Sequence, residues 1–155
     1  MAETPRGPSE TPLLLDAMLG KLTTYLRMCG YDAAYALDRG RETDEKLLEI
    51  ARDENRLLVT RDAELAESAG GLLLTSKDVT DQLGELADAG FALELSDPRR
   101  CANCNGELVA VAQADSTPEY APDPAETETL RCPDCGQHFW KGSHWDAVKE
   151  TLRGV

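Results

Sequence analysis

Four of the chain's five cysteines stand in two identically spaced pairs, Cys101-Ala-Asn-Cys104 and Cys132-Pro-Asp-Cys135, and nothing else in the sequence restricts the fold as strongly. Two intervening residues let a tight knuckle aim both sulfurs at one ion. Two such knuckles complete a tetrahedron with Zn–S bonds of about 2.3 Å. Asn105-Gly106 follows the first pair and Gly136 the second, residue types that accept the positive φ of a tight turn. The segment from Met1 to Pro12 is polar, acidic and proline-spaced rather than charged and then apolar, so it does not read as a secretion signal. Reduced thiols holding zinc in a cytoplasmic protein are therefore expected in place of disulfides. A four-sulfur site is closed, which makes the ion structural. The 27 residues between Cys104 and Cys132 exceed the usual spacer, and Gln113 to Glu128, with three prolines, five acids and no base, reads as an inserted loop. Cys29 stands alone at an apolar helix position and reads as a core residue.

Upstream of the cysteines, short apolar runs alternate with helical periods. Leu13-Leu14-Leu15 reads as a buried strand, and Leu19, Leu22, Leu26 and Cys29 recur at helical spacing up to the capping Gly30. A strand over Ala33 to Leu37 precedes a helix opened by Thr43-Asp44 with Leu47, Leu48 and Ala51 on one face. Leu57-Leu58-Val59, a short helix capped by Asp62, Leu72-Leu73-Leu74, a helix through Val79, Leu83 and Leu86, and a last strand over Phe91 to Leu95 continue the alternation. This βαβα rhythm predicts an α/β domain over residues 13–98 with a parallel sheet flanked by helices. Residues 1–12 read as a disordered acidic, proline-rich tail. Residues 99–155 read as a zinc ribbon with strands at Leu108 to Ala112 and His138 to Trp140 and a terminal helix from about Ser143.

Charge narrows the function classes. Against 16 basic residues stand 29 acidic ones, a net charge of −13, which excludes a broad polyanion-binding surface because such binding runs on phosphate neutralisation. Any nucleic acid must be held locally. The acid excess suits a salt-adapted, halophilic cytosol, where repulsion is screened. No apolar run is long enough to cross a bilayer.

In open parallel sheets ligands bind beyond the carboxyl ends of the strands, and there the sequence places acids. Asp16 follows the first strand, Asp62 follows the third through Thr60-Arg61, and Asp44-Glu45 opens the helix leading into that third strand. Carboxylates meeting at one rim repel one another unless a cation intervenes, and hard oxygen ligands favour magnesium or manganese. Such an ion activates water and stabilises charge at a phosphodiester. No glycine-rich phosphate loop follows the first strand, the second Asp of an aspartyl-phosphate site is missing after Asp16-Ala17-Met18, and there is no serine elbow. Asp62 taken alone reads equally well as a helix N-cap.

Several spaced segments now carry a resemblance: Asp16-Ala17-Met18-Leu19-Gly20-Lys21-Leu22, Leu26-Arg27, Gly30-Tyr31-Asp32, Leu57-Leu58-Val59-Thr60-Arg61-Asp62, both cysteine knuckles, and Phe139-Trp140-Lys141-Gly142-Ser143-His144-Trp145. In that order, from about Leu13 to Leu152, the chain resembles the Mut-seven C-terminal ribonuclease-domain family. The resemblance implies a PIN-like nuclease domain over 13–98 carrying a zinc ribbon, with single-stranded RNA as substrate. It implies Asp16 and Asp62 as strand-end metal ligands, Asp44 as the helix acid between them, and a fourth acid, for which Asp78 is the first candidate and Glu45 the second. Lys21, Arg27, Arg61 and Lys141 are the candidate phosphate contacts, Arg61 foremost because a guanidinium forks onto phosphate beside the metal. Both Trp and both His of the chain fall between His138 and Trp145. Trp140 and Trp145 are expected to pack the ribbon against the α/β domain, the alternative being a surface that stacks unpaired bases. The functional expectation is a ribonuclease dependent on Mg or Mn; the alternative is a non-catalytic zinc-ribbon module that binds RNA or protein. No protein partner is legible in the sequence.

Overall fold

The computed structural model describes residues 7–8, 10–40, 43–95 and 98–155. Of the expected tail, residues 1–6 and 9 lie outside the described residues. The α/β part follows the order β1 (Leu13–Leu15), α1 (Gly20–Met28), β2 (Ala33–Tyr35), a 3-10 turn (Ala36–Arg39), α2 (Asp44–Asp53), β3 (Leu57–Thr60), α3 (Ala63–Ala69), β4 (Leu72–Leu73) and α4 (Val79–Asp88). The ribbon adds β5 (Val109–Ala110), β6 (Leu130–Arg131), β7 (His138–Phe139) and α5 (Ser143–Arg153).

The first sheet is parallel throughout, in the order β2-β1-β3-β4, with Leu15 of β1 in register with Tyr35 on one side and Val59 on the other. Leu13, Leu14 and Leu15 are all fully buried, as a central strand covered on both faces requires. Their side chains alternate between two cores. Leu13 and Leu15 join Leu22, Leu26, Leu83, Leu86 and Phe91 on one face, whereas Leu14 joins Leu47, Leu58 and Leu65 on the other. Because β1 lies between β2 and β3, the strand order reverses direction at β1/β3. The crevice at their carboxyl ends is the topological switch point where such sheets bind ligands.

The structure departs from the sequence expectation at three places in the fold. The second strand ends at Tyr35, and Leu37 lies 47% exposed in the 3-10 turn. Residues 91–95 form no strand: Phe91 carries an isolated bridge and is buried in the core, and the Ala92 carbonyl accepts the Tyr31 hydroxyl at 2.9 Å. The ribbon holds an unforeseen middle strand, β6, which pairs antiparallel with both β5 and β7. Among the described residues no helix is long and apolar enough to cross a membrane.

Candidate metal centre and acidic rim

The two knuckles are built alike. The Asn105 N–H reaches the Cys101 carbonyl and the Gly136 N–H reaches the Cys132 carbonyl, both at 2.8 Å, while the Cys101 and Cys132 N–H groups bond to Gly106 O and Gln137 O. Asn105 and Gly136 turn the chain with φ of +72° and +80°, as their residue types foretold. Gly106 leaves room for the second knuckle, because a Cβ there would stand 2.8 Å from Cys132 Sγ.

The four sulfurs of Cys101, Cys104, Cys132 and Cys135 lie within 4.8 Å of one another. Cys101 Sγ is 3.6 Å from Cys135 Sγ and Cys104 Sγ is 3.5 Å from Cys132 Sγ, far beyond a covalent S–S bond. Tetrahedral Zn–S bonds of about 2.3 Å put neighbouring sulfurs about 3.8 Å apart, so donor set and spacing both fit zinc. Burial pushes the Cys101 thiol up to about 12. Burial also raises Cys135, but hydrogen bonds from Gln137 and Asn103 outweigh it and bring this thiol down to about 7.

Asn105 also joins the ribbon to the sheet. Its Oδ1 accepts the Ala33 N–H at 3.0 Å, on the open edge of β2, and its Nδ2 donates to Asp32 Oδ1 at 2.7 Å. Burial raises the Asp32 carboxyl, but Arg56 and Asn105 outweigh it and hold the group below its ordinary value. Arg27 makes the second tie. Rather than lying at the surface to meet phosphate, it is 3% exposed, with Nε donating to Ala33 O at 2.9 Å, Nη1 to Ala102 O at 3.2 Å and Nη2 to Asp38 at 3.2 Å. The reason is helical spacing: Leu19, Thr23 and Arg27 fall on one stripe of α1, and all three are buried.

At the carboxyl ends of the strands, Asp16, 8% exposed, caps β1. Its Oδ1 accepts the Ala17 N–H and its Oδ2 accepts the Thr60 hydroxyl, both at 2.7 Å. Thr60 Oγ1 in turn accepts the Asp62 N–H at 3.0 Å. Thr60, fully buried on β3, thus links the two strand-end acids; its place two residues before Asp62 was the signal that sequence reasoning passed over. Asp62 is the N-cap of α3, its Oδ1 accepting from Glu64 and Leu65 N–H groups. Asp78 is likewise the N-cap of α4. Asp44 opens α2 at the same end of the sheet, exposed beside the cap Thr43, with Glu45 next to it.

Among the described residues the acids Asp16, Asp44, Asp62 and Asp78 are not drawn into a group of ligand atoms within 4.8 Å, as the cysteines are. Lys21 is exposed on the first turn of α1, and Arg61 is half-buried beside Asp62 with its Nε shielded from solvent and without a hydrogen-bond partner among the described residues. Lys141 lies over the Trp145 ring, its Nζ 5.7 Å from the ring centre.

A family model described as Mut7-C RNAse domain matches residues 11–152, nearly the whole chain. No curated protein and no solved structure matches.

Proposed function

The chain belongs to the Mut7-C RNAse domain family, and from that premise we propose that it is a ribonuclease dependent on Mg or Mn that cleaves single-stranded RNA at the β1/β3 switch point. The observation that carries this reading is the Asp16–Thr60–Asp62 link, two carboxyl-bearing strand ends coupled through one buried hydroxyl at the ligand-binding position of the sheet. Magnesium is held through one or two carboxylates and keeps several waters, so a pair of strand-end acids suits it without a third acid in contact. Asp16 and Asp62 would hold the ion and Asp44 its water shell. Asp78 and Glu45 remain the candidates for a fourth acid. When bound, the ion supplies activation of water and neutralisation of charge at the phosphate.

The protein's own residues do the rest. Thr60 orients Asp16 by donating to Oδ2, and the Ala17 N–H fixes the other oxygen. Arg61, whose shielded Nε has no acceptor among the described residues, receives a phosphate beside Asp62, and Lys21 draws the strand toward the rim. Lys141 adds a cation on the ribbon. Zinc at the four cysteines is structural in this reading, and the acid-rich surface belongs to a halophilic cytoplasm. The helix-capping duties of Asp62 and Asp78 favour the competing reading, a non-catalytic RNA-binding module.

Cleavage of end-labelled single-stranded RNA in high-salt buffer with Mn or Mg, for the native chain and Asp16→Asn, separates the two. Asparagine keeps one acceptor for the Ala17 N–H, so the fold and zinc content stay. Metal-dependent cutting lost in Asp16→Asn supports the nuclease; equal or absent cutting in both leaves the binding module.

A further inference from the structure

Both tryptophans and both histidines of the chain line one cavity of about 260 Å³, where the ribbon meets the C-terminal end of α1 and the start of α5. Met28 and Arg100 form part of its wall. The sequence leads one to expect Trp140 and Trp145 to be anchors of the ribbon, but α5 enters the core through Val148 and Leu152, 5% and 9% exposed. Both tryptophans stay half-buried around the cavity. Large rings held at a cavity wall, with other residues carrying the packing, are available to a ligand.

The chemistry of the wall selects that ligand. Indole faces stack flat rings, and a cavity just below the range of about 300–1,000 Å³ typical of drug-sized ligands admits one ring system. The N-cap of α5, Gly142, makes no side-chain capping bond, and Ser143 and His144 beside it supply donors for the edge of a heterocycle. Arg100, which bonds Asn105 O at 3.2 Å and lies 3.6 Å from Glu107, and Lys141 over Trp145 put positive charge at the rim, with exposed Arg99 adjacent. In a chain of net charge −13 this local cluster complements an anionic backbone. Tyr120 of the inserted loop steadies the far side, its ring 6.2 Å from that of Trp140 and its hydroxyl accepting the His138 N–H at 3.0 Å.

We propose that this cavity is a binding pocket for one unstacked base of a single-stranded RNA, with the flanking phosphates on Arg100 and Lys141. The proposal rests on RNA being the substrate. It adds a recognition site at the opposite end of α1 from Asp16, a helix about 13 Å long at 1.5 Å per residue.

Because the cavity holds both tryptophans, their fluorescence reports on it directly. The test titrates a single-stranded oligoribonucleotide, its self-paired duplex and an acidic peptide into the zinc-loaded Asp16→Asn chain, with cleavage by the native chain measured in parallel. The expected result is quenching by the single strand alone, and a Kd raised about 5- to 150-fold in Trp145→Ala, the loss of one stacked base. Trp145→Phe, matched to the parent in zinc content and melting, should fall between. Absence of quenching by the single strand, quenching by the peptide instead, or an unchanged Kd in Trp145→Ala overturns the proposal. Cutting without quenching defeats the pocket and spares the nuclease; quenching without cutting does the reverse.

Discussion

Arg27→Ala separates a structural tie from a phosphate contact. Arg27 is 3% exposed, and its guanidinium donates to two carbonyls, Ala33 O on the β2 edge and Ala102 O in the first knuckle. A hydrogen bond from a charged donor is worth about 1.5–3 kcal/mol when the alternative is an unsatisfied partner. The Asp38 carboxylate is 48% exposed, so screening leaves that ion pair within about 1 kcal/mol. The terms sum to about 3–7 kcal/mol, and water reaching the freed carbonyls brings the loss to about 3–5 kcal/mol. For a chain of this size each kcal/mol moves Tm by about 2–4 °C, so the zinc-loaded variant should melt about 6–20 °C lower. Scanning calorimetry of native chain, Arg27→Ala and Asp38→Asn reads this, and Asp38→Asn should shift by only a few degrees. A melt of Arg27→Ala that coincides with the native one, together with weakened RNA binding, would refute the reasoning and return Arg27 to the surface.

Thr60→Val keeps shape but removes the hydroxyl between Asp16 and Asp62, so metal-dependent cleavage should fall at least tenfold while the far-ultraviolet spectrum stays native; undiminished activity would separate the two acids. Gly106→Ala drives a methyl group against Cys132 Sγ and Asp134, and a chelator competition should show zinc released at lower chelator concentration than from the native chain. Zinc removal itself should abolish hydrogen-exchange protection over residues 99–142 while the sheet amides of β1 and β3 stay protected, because structural zinc is folding free energy. Glu54 is held down to about 2, first by the paired hydrogen bonds from Arg39 and then by Arg56. An acid with a depressed value contributes stability above its ordinary value of 4.5, and that contribution fades as the pH falls from there toward 2. Glu54→Gln should therefore flatten the fall of Tm over this window, modestly, since the side chain is 35% exposed.

The sequence was most legible where local chemistry and tertiary structure ask for the same residue. Leu13 to Leu15 are uninterrupted because both faces of β1 are covered, and Asn105 and Gly136 sit where positive φ is needed. Thr43 and Asp62 cap the helices their position announces, and Gly30 ends α1 at φ +93°. Legibility failed where one residue answers to a distant partner. Arg27 bonds Ala102 across 75 positions, and no local pattern records that, although its place two helical steps of four from Leu19 marks the buried stripe. The strand expected over 91–95 has suitable residues, yet β4 beyond β3 is only two residues long and Phe91 turns into the core. Apolar patterning shows that a segment is buried without showing what it pairs with.

The acidic rim obeyed the general rule and departed from the particular one. Strand-end acids do flank the switch point, but Asp62 and Asp78 are also occupied as caps, a duty that an Asp before a helix performs whether or not a metal is near. Spacing alone therefore could not tell ligand from cap; the buried hydroxyl of Thr60 bonds the Asp16 carboxylate and the Asp62 backbone amide. The same reasoning gives the ribbon its role. Asn105 and Arg27 clamp it to the edge of β2 and the end of α1 through bonds to Ala33 N, Ala33 O and Ala102 O, so the aromatic cavity and the acidic rim are held at the two ends of one short helix. A strongly acidic chain repels RNA everywhere except where bases are clustered. On the proposed function, two sites on a rigid spacing, one offering rings and the other carboxylates, would let such a chain select a single strand by its exposed nucleobases rather than by bulk charge.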